Sequence, residues 1–274
     1  MSIKSIDFSK YSSIKVGSVV DVMVIEKGDT IPKDHTIIGG ANNLLVSPNP
    51  PPLMVLGKDF DYIYTEGNEL VIGGATKSGR IFSFAKKHDL KGFEFFGKLP
   101  GTLGGLIAMN AGLKQYEIFD ILDSVMIFRR CDRVAQNKVC DVVTPTVMEK
   151  DEIEHGYRYS KIDGVVTEAR FKLRKGFDKA LFETFKNMRS NQPKEPSAGS
   201  AFKNPDGDYA GRLIEAVGLK GKRVGDMAYS NIHANFLVNY GKGSFEDAHY
   251  LIELAKERVY DAFGITLNEE IKIL

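Results

Sequence analysis

The stretch LPGTLGGLIAMNAG, residues 99–112, limits what this chain can build more than any other. Gly101, Gly104, Gly105 and Gly112, with Gly97 just before, surround Pro100, Thr102 and Asn110. Glycine tolerates positive φ and lets backbone N–H groups approach a ligand closely. Oriented N–H groups in such a turn form a nest for anionic oxygens. The apolar run Leu106, Ile107, Ala108 and Met109 predicts a buried support beside the nest. Asn110 adds an amide that donates and accepts at once. A stretch of this kind can hold a large flat cofactor that carries phosphates. A Gly-rich turn between two buried elements has the same local composition, so both readings stand at this point.

The chain has 274 residues, is 43% hydrophobic and 27% charged, and carries a formal net charge of +1. That length suits one large or two ordinary domains. The near-neutral balance supplies no field for nucleic acid. No apolar run approaches the length of a bilayer span. The first residues, MSIKSIDFSKYSS, lack the apolar core of a secretory signal. Cys131 and Cys140 fit neither a zinc pattern nor a disulfide framework. A reducing cytoplasm is the expected compartment.

Alternation and turn residues predict strands over 20–25, 36–38, 44–46 and 54–56. A hairpin is expected over 62–72, turning at Glu66, Gly67 and Asn68. Ser78 is expected to cap a helix over 79–89, with Ile81, Phe82, Phe84 and Ala85 as its apolar stripe. Residues 124–128 and 138–143 look like paired strands, and 165–173 like a closing strand. A helix is expected over 179–191, a polar loop over 192–205 and a helix near 208–217. Ser244 and Asp247 begin the clearest helix, with Ala248, Leu251, Ile252, Ala255, Val259 and Phe263 in its stripe and Gly264 at its end. Residues 265–274 read as a final strand. Hairpins mixed with separated helices predict an α+β fold, with a change of composition near residue 175.

Four further clusters can carry chemistry. In IIGGANNLLV, residues 37–46, a strand runs into two glycines and two asparagines. It is not GxGxxG and the order of elements is not a Rossmann unit; an ordinary strand and turn is the other reading. In GYRYS, residues 156–160, Arg158 lies between two tyrosines, which suits a guanidinium fixed by ring packing or a common surface pair. In SAGSAFKNP, residues 197–205, small residues flank Ser200, and Lys203 and Asn204 offer a cation and an amide. No GxSxG elbow is present, which disfavours serine hydrolysis; a plain polar loop is the competing reading. In LNEEIKIL, residues 267–274, strand alternation puts Glu270 on the face of Asn268 and Lys272; a solvated terminal carboxylate is the ordinary outcome. His233 in SNIHANFLVN is expected to make a structural hydrogen bond.

Taken in order, IIGGANNLLV, LPGTLGGLIAMNAG, GYRYS, PSAGSAFKNP, AGRLIEAVGLKG, SNIHANFLVN and the terminal Glu269-Glu270-Ile271 resemble the UDP-N-acetylenolpyruvoylglucosamine reductase family over nearly the whole chain. The resemblance implies an α+β chain: a flavin-binding half of the vanillyl-alcohol-oxidase type in two subdomains, 1–56 and 57–174, and a substrate domain over 175–274. It implies FAD held by Gly39, Gly40, Ala41, Asn42, Asn43, Leu44, Gly101, Thr102, Gly104, Gly105, Asn110, Ala111, Gly112 and Val166. NADPH is the implied co-substrate, and the enolpyruvyl ether of a UDP-sugar the implied substrate, in peptidoglycan precursor synthesis. Hydride would come from flavin N5 and the proton from Ser200, with Arg158 and Glu270 stabilising the aci-carboxylate. Tyr157, Gln192, Lys203 and Asn204 are the implied substrate contacts. No metal, nucleic acid or membrane is implied, and a monomer is. Leu113-Lys114-Gln115, Gly225-Asp226-Met227 and Asn268 depart from the usual family pattern, and the length suits a short form without the tyrosine-bearing substrate loop. A flavin-dependent oxidase of the same superfamily and a non-catalytic nucleotide-sugar binder are the competing classes.

Overall fold

A computed structural model describes residues 1–129 and 145–274. They form two compact units, both discontinuous in sequence. The first takes residues 1–4, 21–40 and 52–189; the second takes 5–20, 41–51 and 190–274. Both mix helices and strands, so the α+β class expected from the sequence holds.

Among the described residues, the first unit is built on a five-stranded antiparallel sheet. Its order is Pro145–Glu149, Leu122–Phe128, Val165–Lys172, Glu69–Gly73, Ile63–Glu66. The hairpin turn is tight because Gly67 takes φ +57°. Val165–Lys172 is the middle strand and is buried on both faces. Val165 enters a core with Ile25, Met54 and Phe60. Val166, Ala169 and Phe171 enter another with Ile81, Leu103, Ile107 and Phe185. Positions 166 and 169 share a face because the register shifts: Met126 faces Glu168 while Ile127 faces Val166. Thr167 is the extra residue of this bulge, and an extra residue inverts strand parity. Parallel strands Leu53–Leu56 and Thr36–Ile37 then deliver the chain to Gly39.

The second unit carries a four-stranded antiparallel sheet among the described residues: Ser197–Ser200, Phe236–Asn239, Met227–Tyr229, Arg223–Val224. The long helix Phe245–Phe263 covers it. Ser244 caps this helix by accepting the Asp247 N–H at 3.0 Å, and Gly264 ends it at φ +67°. Ala248, Leu251, Ile252, Ala255 and Val259 join the core with Phe202 and Tyr229. Phe263, expected in that stripe, is 42% exposed and instead meets the Arg212 guanidinium, 5.6 Å from its ring centre. Leu44–Leu45 pairs in parallel with Lys272–Ile273.

Several expectations need correction. Ser78 does not cap: the helix is Ser78–Lys87, Lys77 is the N-cap position, and the Ser78 N–H donates to the Gly101 carbonyl at 2.9 Å. The apolar run over 106–109 falls on the end of a short helix, Leu103–Ala108, which buries Leu106 and Ile107 but leaves Ala108 exposed. The loop over 192–205 contains the strand Ser197–Ser200. Within 265–274 only Lys272–Ile273 is regular strand. Leu122–Phe128 pairs with Pro145–Glu149 and Val165–Lys172; the partner expected at 138–143, like Cys131 and Cys140, lies outside the described residues.

Candidate active site

In the first unit the glycine-rich stretch meets the Gly39 turn and the bulged strand. A Cβ on Gly39 would sit 2.5 Å from Thr102 Oγ1 and 3.7 Å from the Gly105 Cα. A Cβ on Gly104 would sit 3.1 Å from the Val166 carbonyl oxygen, and one on Gly74 2.3 Å from the same atom. Gly74 thus packs against the Val166 backbone at a distance that a side chain forbids, while Gly39 and Gly104 have little room for one. The Gly104 N–H donates to the Gly74 carbonyl, and the Gly74 N–H to the Thr167 carbonyl. Thr167 Oγ1 donates to the Met126 carbonyl at 3.1 Å, which holds the bulge. Gly101 takes φ +144°. Glycines at 39, 74 and 104 keep side chains off this backbone, which is what a flat, phosphate-bearing group such as FAD would need of segments it approaches closely. Gly40 is half-buried beside Gly39 in sequence.

Asn110, Ala111 and Gly112 close the same glycine-rich stretch. Asn110 is fully buried at φ +41°. Both its amide hydrogens are committed, to Glu117 Oε2 at 2.6 Å and to the Gly156 carbonyl at 3.1 Å, and its oxygen accepts the Phe119 N–H. Its amide thus locks protein to protein. The Ala111 N–H donates to the Leu106 carbonyl. A Cβ on Gly112 would meet the Tyr116 carbonyl at 2.2 Å, within its own hairpin.

The same region positions Arg158. It sits at the turn between His155–Gly156 and Tyr159–Ser160, at φ +61°. Its guanidinium lies 5.0 Å from the Tyr157 ring centre, and Nη2 donates to the Gly112 carbonyl at 3.2 Å. Ser160 Oγ donates to the Ile107 carbonyl. Ring, carbonyl and hairpin together fix a half-buried guanidinium beside the glycine-rich stretch. Tyr157 is itself exposed.

In the second unit Ser200 and Glu270 are brought together through one residue. Ser200 ends its strand opposite Phe236, after Gly199 at φ +84°. The carbonyl of the next residue, Ala201, accepts the N–H groups of Glu270 at 2.9 Å and Ile271 at 3.2 Å. Asn43 Nδ2 donates to the Glu270 carbonyl at 2.8 Å, and the Asn43 carbonyl accepts the Lys272 N–H. Lys256 bridges Glu269 at 2.8 Å and holds the neighbouring carboxylate below its ordinary pKa against the opposing effect of burial. Ala41, at φ +50°, accepts the Ser13 N–H, and Asn42 Nδ2 donates to Ser13 Oγ. Leu44 faces Lys272 in the parallel pair. The Lys203 N–H donates to the Asn268 carbonyl. Asn204 is exposed, and its Oδ1 accepts the Ala210 N–H at the start of the helix Ala210–Ala216. Gln192 is half-buried. His233 makes the expected structural bond: Nδ1 accepts the Asn235 N–H at 3.2 Å, and burial holds its pKa below the usual histidine range.

Arg158 belongs to the first unit, Ser200 and Glu270 to the second. Three residues escaped the sequence reading. Gly74 carried a visible signal, a glycine pair directly after a strand, as at Gly39-Gly40. Thr167 and Asn235 carried none, since a bulge and a side-chain clamp depend on distant partners. No helix of the described residues is long and apolar enough to cross a membrane. Among those residues no group of three or more His, Cys, Asp or Glu could hold a metal ion.

The family model of the UDP-N-acetylenolpyruvoylglucosamine reductase C-terminal domain matches residues 192–274. A reductase of that name from Helicobacter pylori is 46% identical over 270 residues, 98% of each chain. One from Helicobacter hepaticus is 48% identical over 273 residues, again 98% of each. One from Campylobacter jejuni is 44% identical, covering 98% of this chain and 99% of that one. The crystal structure of UDP-N-acetylenolpyruvylglucosamine reductase (MurB) from Thermus caldophilus superposes with a TM-score of 0.82 at 29% identity, covering 100% of this chain and 99% of that one. This chain therefore belongs to the UDP-N-acetylenolpyruvoylglucosamine reductase family and is an oxidoreductase.

Proposed function

We propose that the protein reduces the enolpyruvyl ether of UDP-N-acetylglucosamine to the lactyl ether, with NADPH as reductant and FAD as carrier, in the cytoplasm. The observation that supports this reading most is the pairing of Ser200 with Glu270 through the Ala201 carbonyl, in a chain of this family. The division of labour goes with it: flavin binding over 1–56 and 57–174 in the vanillyl-alcohol-oxidase manner, substrate binding over 175–274. Gly39, Gly104, Gly105 and the Val166 backbone would hold the cofactor. Bound FAD supplies hydride, taken from NADPH, to the terminal methylene carbon of the enolpyruvyl group.

That addition breaks the C=C π bond and leaves its electron pair on the α-carbon and carboxylate. Arg158 would stabilise this charge with a rigid, always-charged fork. Glu270, in its protonated form, would donate a hydrogen bond to it. Ser200 gives its hydroxyl proton to the α-carbon and regains one from solvent. Serine is a feeble acid, so its contribution rests on placement. Tyr157, Gln192, Lys203 and Asn204 would orient the nucleotide sugar.

Anaerobic stopped flow separates the two half-reactions. Ser200→Ala should leave flavin reduction by NADPH intact and slow reoxidation by the enolpyruvyl sugar by roughly 10²-fold or more. Arg158→Lys should also slow reoxidation, because a point charge cannot replace the fork. Equal slowing of both halves would take Ser200 out of the proton-transfer role.

A further inference from the structure

We propose that Asn235 is a positioning residue for Ser200 and Glu270, an inference that rests on the roles given to those two side chains above. Asn235 is 3% exposed and lies in the turn that leads into Phe236–Asn239. Its main-chain carbonyl accepts the Ala201 N–H at 2.7 Å. Its side chain then closes on the next residue from both sides: Oδ1 accepts the Phe202 N–H at 3.0 Å, and Nδ2 donates to the Phe202 carbonyl at 2.8 Å. Three hydrogen bonds from one buried residue thus grip the two positions that follow Ser200.

The grip matters because the strand is irregular here. Its register shifts between Ser197 and Ser200, and Gly199 sits at φ +84°. Ladder pairing therefore does not by itself fix the backbone at Ser200. Ala201 is also the residue whose carbonyl receives the Glu270 N–H. A shift of Ala201 would carry the hydroxyl and the carboxyl with it. Asn235 is held in turn by His233, whose Nδ1 accepts the Asn235 N–H at 3.2 Å. It touches neither reacting atom; it sets where both stand.

Asn235→Asp is the informative variant. It keeps the shape and the acceptor for the Phe202 N–H, but turns a carboxylate oxygen toward the Phe202 carbonyl. Asn235→Ser runs in parallel, so that a folding failure of one variant leaves the other to be measured. Each is made in the FAD-loaded enzyme, with and without Ser200→Ala. The expected result is reoxidation by the enolpyruvyl UDP-sugar slowed roughly tenfold or more, with reduction by NADPH unchanged. No further loss is expected where Ser200→Ala is already present. Amide exchange at Ala201, Phe202 and Glu270 in the flavin-free protein should rise together. Normal reoxidation, equal slowing of both half-reactions, or a loss that adds in full to that of Ser200→Ala overturns the proposal while the role of Ser200 stands. Unimpaired reoxidation in Ser200→Ala alone overturns that role and this inference with it.

Discussion

Asn110 shows how far a residue's type can be read without its partners. Its amide and its place in a glycine-rich stretch are legible in the chain, and they point to a ligand. The structure commits both amide hydrogens to Glu117 and Gly156. Side-chain partners depend on which segments the fold brings near, and no local pattern encodes that. The glycines were more legible, because a missing side chain is visible in the chain itself: a Cβ would sit 2.5 Å from Thr102 Oγ1 on Gly39 and 3.1 Å from the Val166 carbonyl on Gly104. Asn110→Asp should set two carboxyls 2.6 Å apart in a buried place. We expect a loss of about 3 kcal/mol at neutral pH. Facing carboxyls raise each other's pKa in the folded state. Folding then binds protons, so the deficit is smallest at low pH and grows as pH rises through the raised value. Urea unfolding of both proteins at about pH 5 and about pH 8 checks the sign; a deficit that is constant with pH would contradict it.

Among the elements, the helix Phe245–Phe263 was the easiest to read. Its cap, its 3.6-residue period and its terminal glycine all agree, and local agreement across signals marks a robust element. Ser244→Ala removes the bond to the Asp247 N–H and should cost about 1 kcal/mol. Gly264→Ala forces a Cβ at φ +67° and should cost about 1–2 kcal/mol. Calorimetric midpoints of the two variants and their double mutant check both values; the effects should add, since the sites are at opposite ends of the helix. The strand Ser197–Ser200 could not be read the same way. Its small residues give no alternation, and its pairing is interrupted before Ser200. The C-terminal segment failed for the opposite reason. Its sequence alternates, yet it changes partner within five residues: Asn268 and Glu270 bond to Lys203 and Ala201 around the Phe202–Glu269 bridge, and Lys272 bonds to Asn43. The bulge at Thr167 is likewise invisible in a strand of good β-formers, although it sets the Val166 carbonyl beside Gly74 and Gly104.

The molecule as a whole was legible as a family from its ordered motifs. The ordered motifs from residue 37 to residue 271 identify the family in sequence alone. The units interleave the chain: Ile14, Val16 and Leu45 pack in one core with Phe202, Leu251 and Ile271. Contacts across more than 200 residues of sequence leave no mark on either segment read by itself. The glycine cradle and Arg158 belong to one unit, Ser200 and Glu270 to the other. The decisive measurement is anaerobic. The purified, FAD-loaded protein is reduced with NADPH and then mixed with either the enolpyruvyl UDP-sugar or aerated buffer, while flavin absorbance is followed. The account predicts a yellow protein, bleached by NADPH, whose colour returns rapidly with the sugar and yields the lactyl ether in equal amount to the NADPH consumed. A colourless protein that FAD does not restore, or a flavin reoxidised readily by air and not by the sugar, would contradict it.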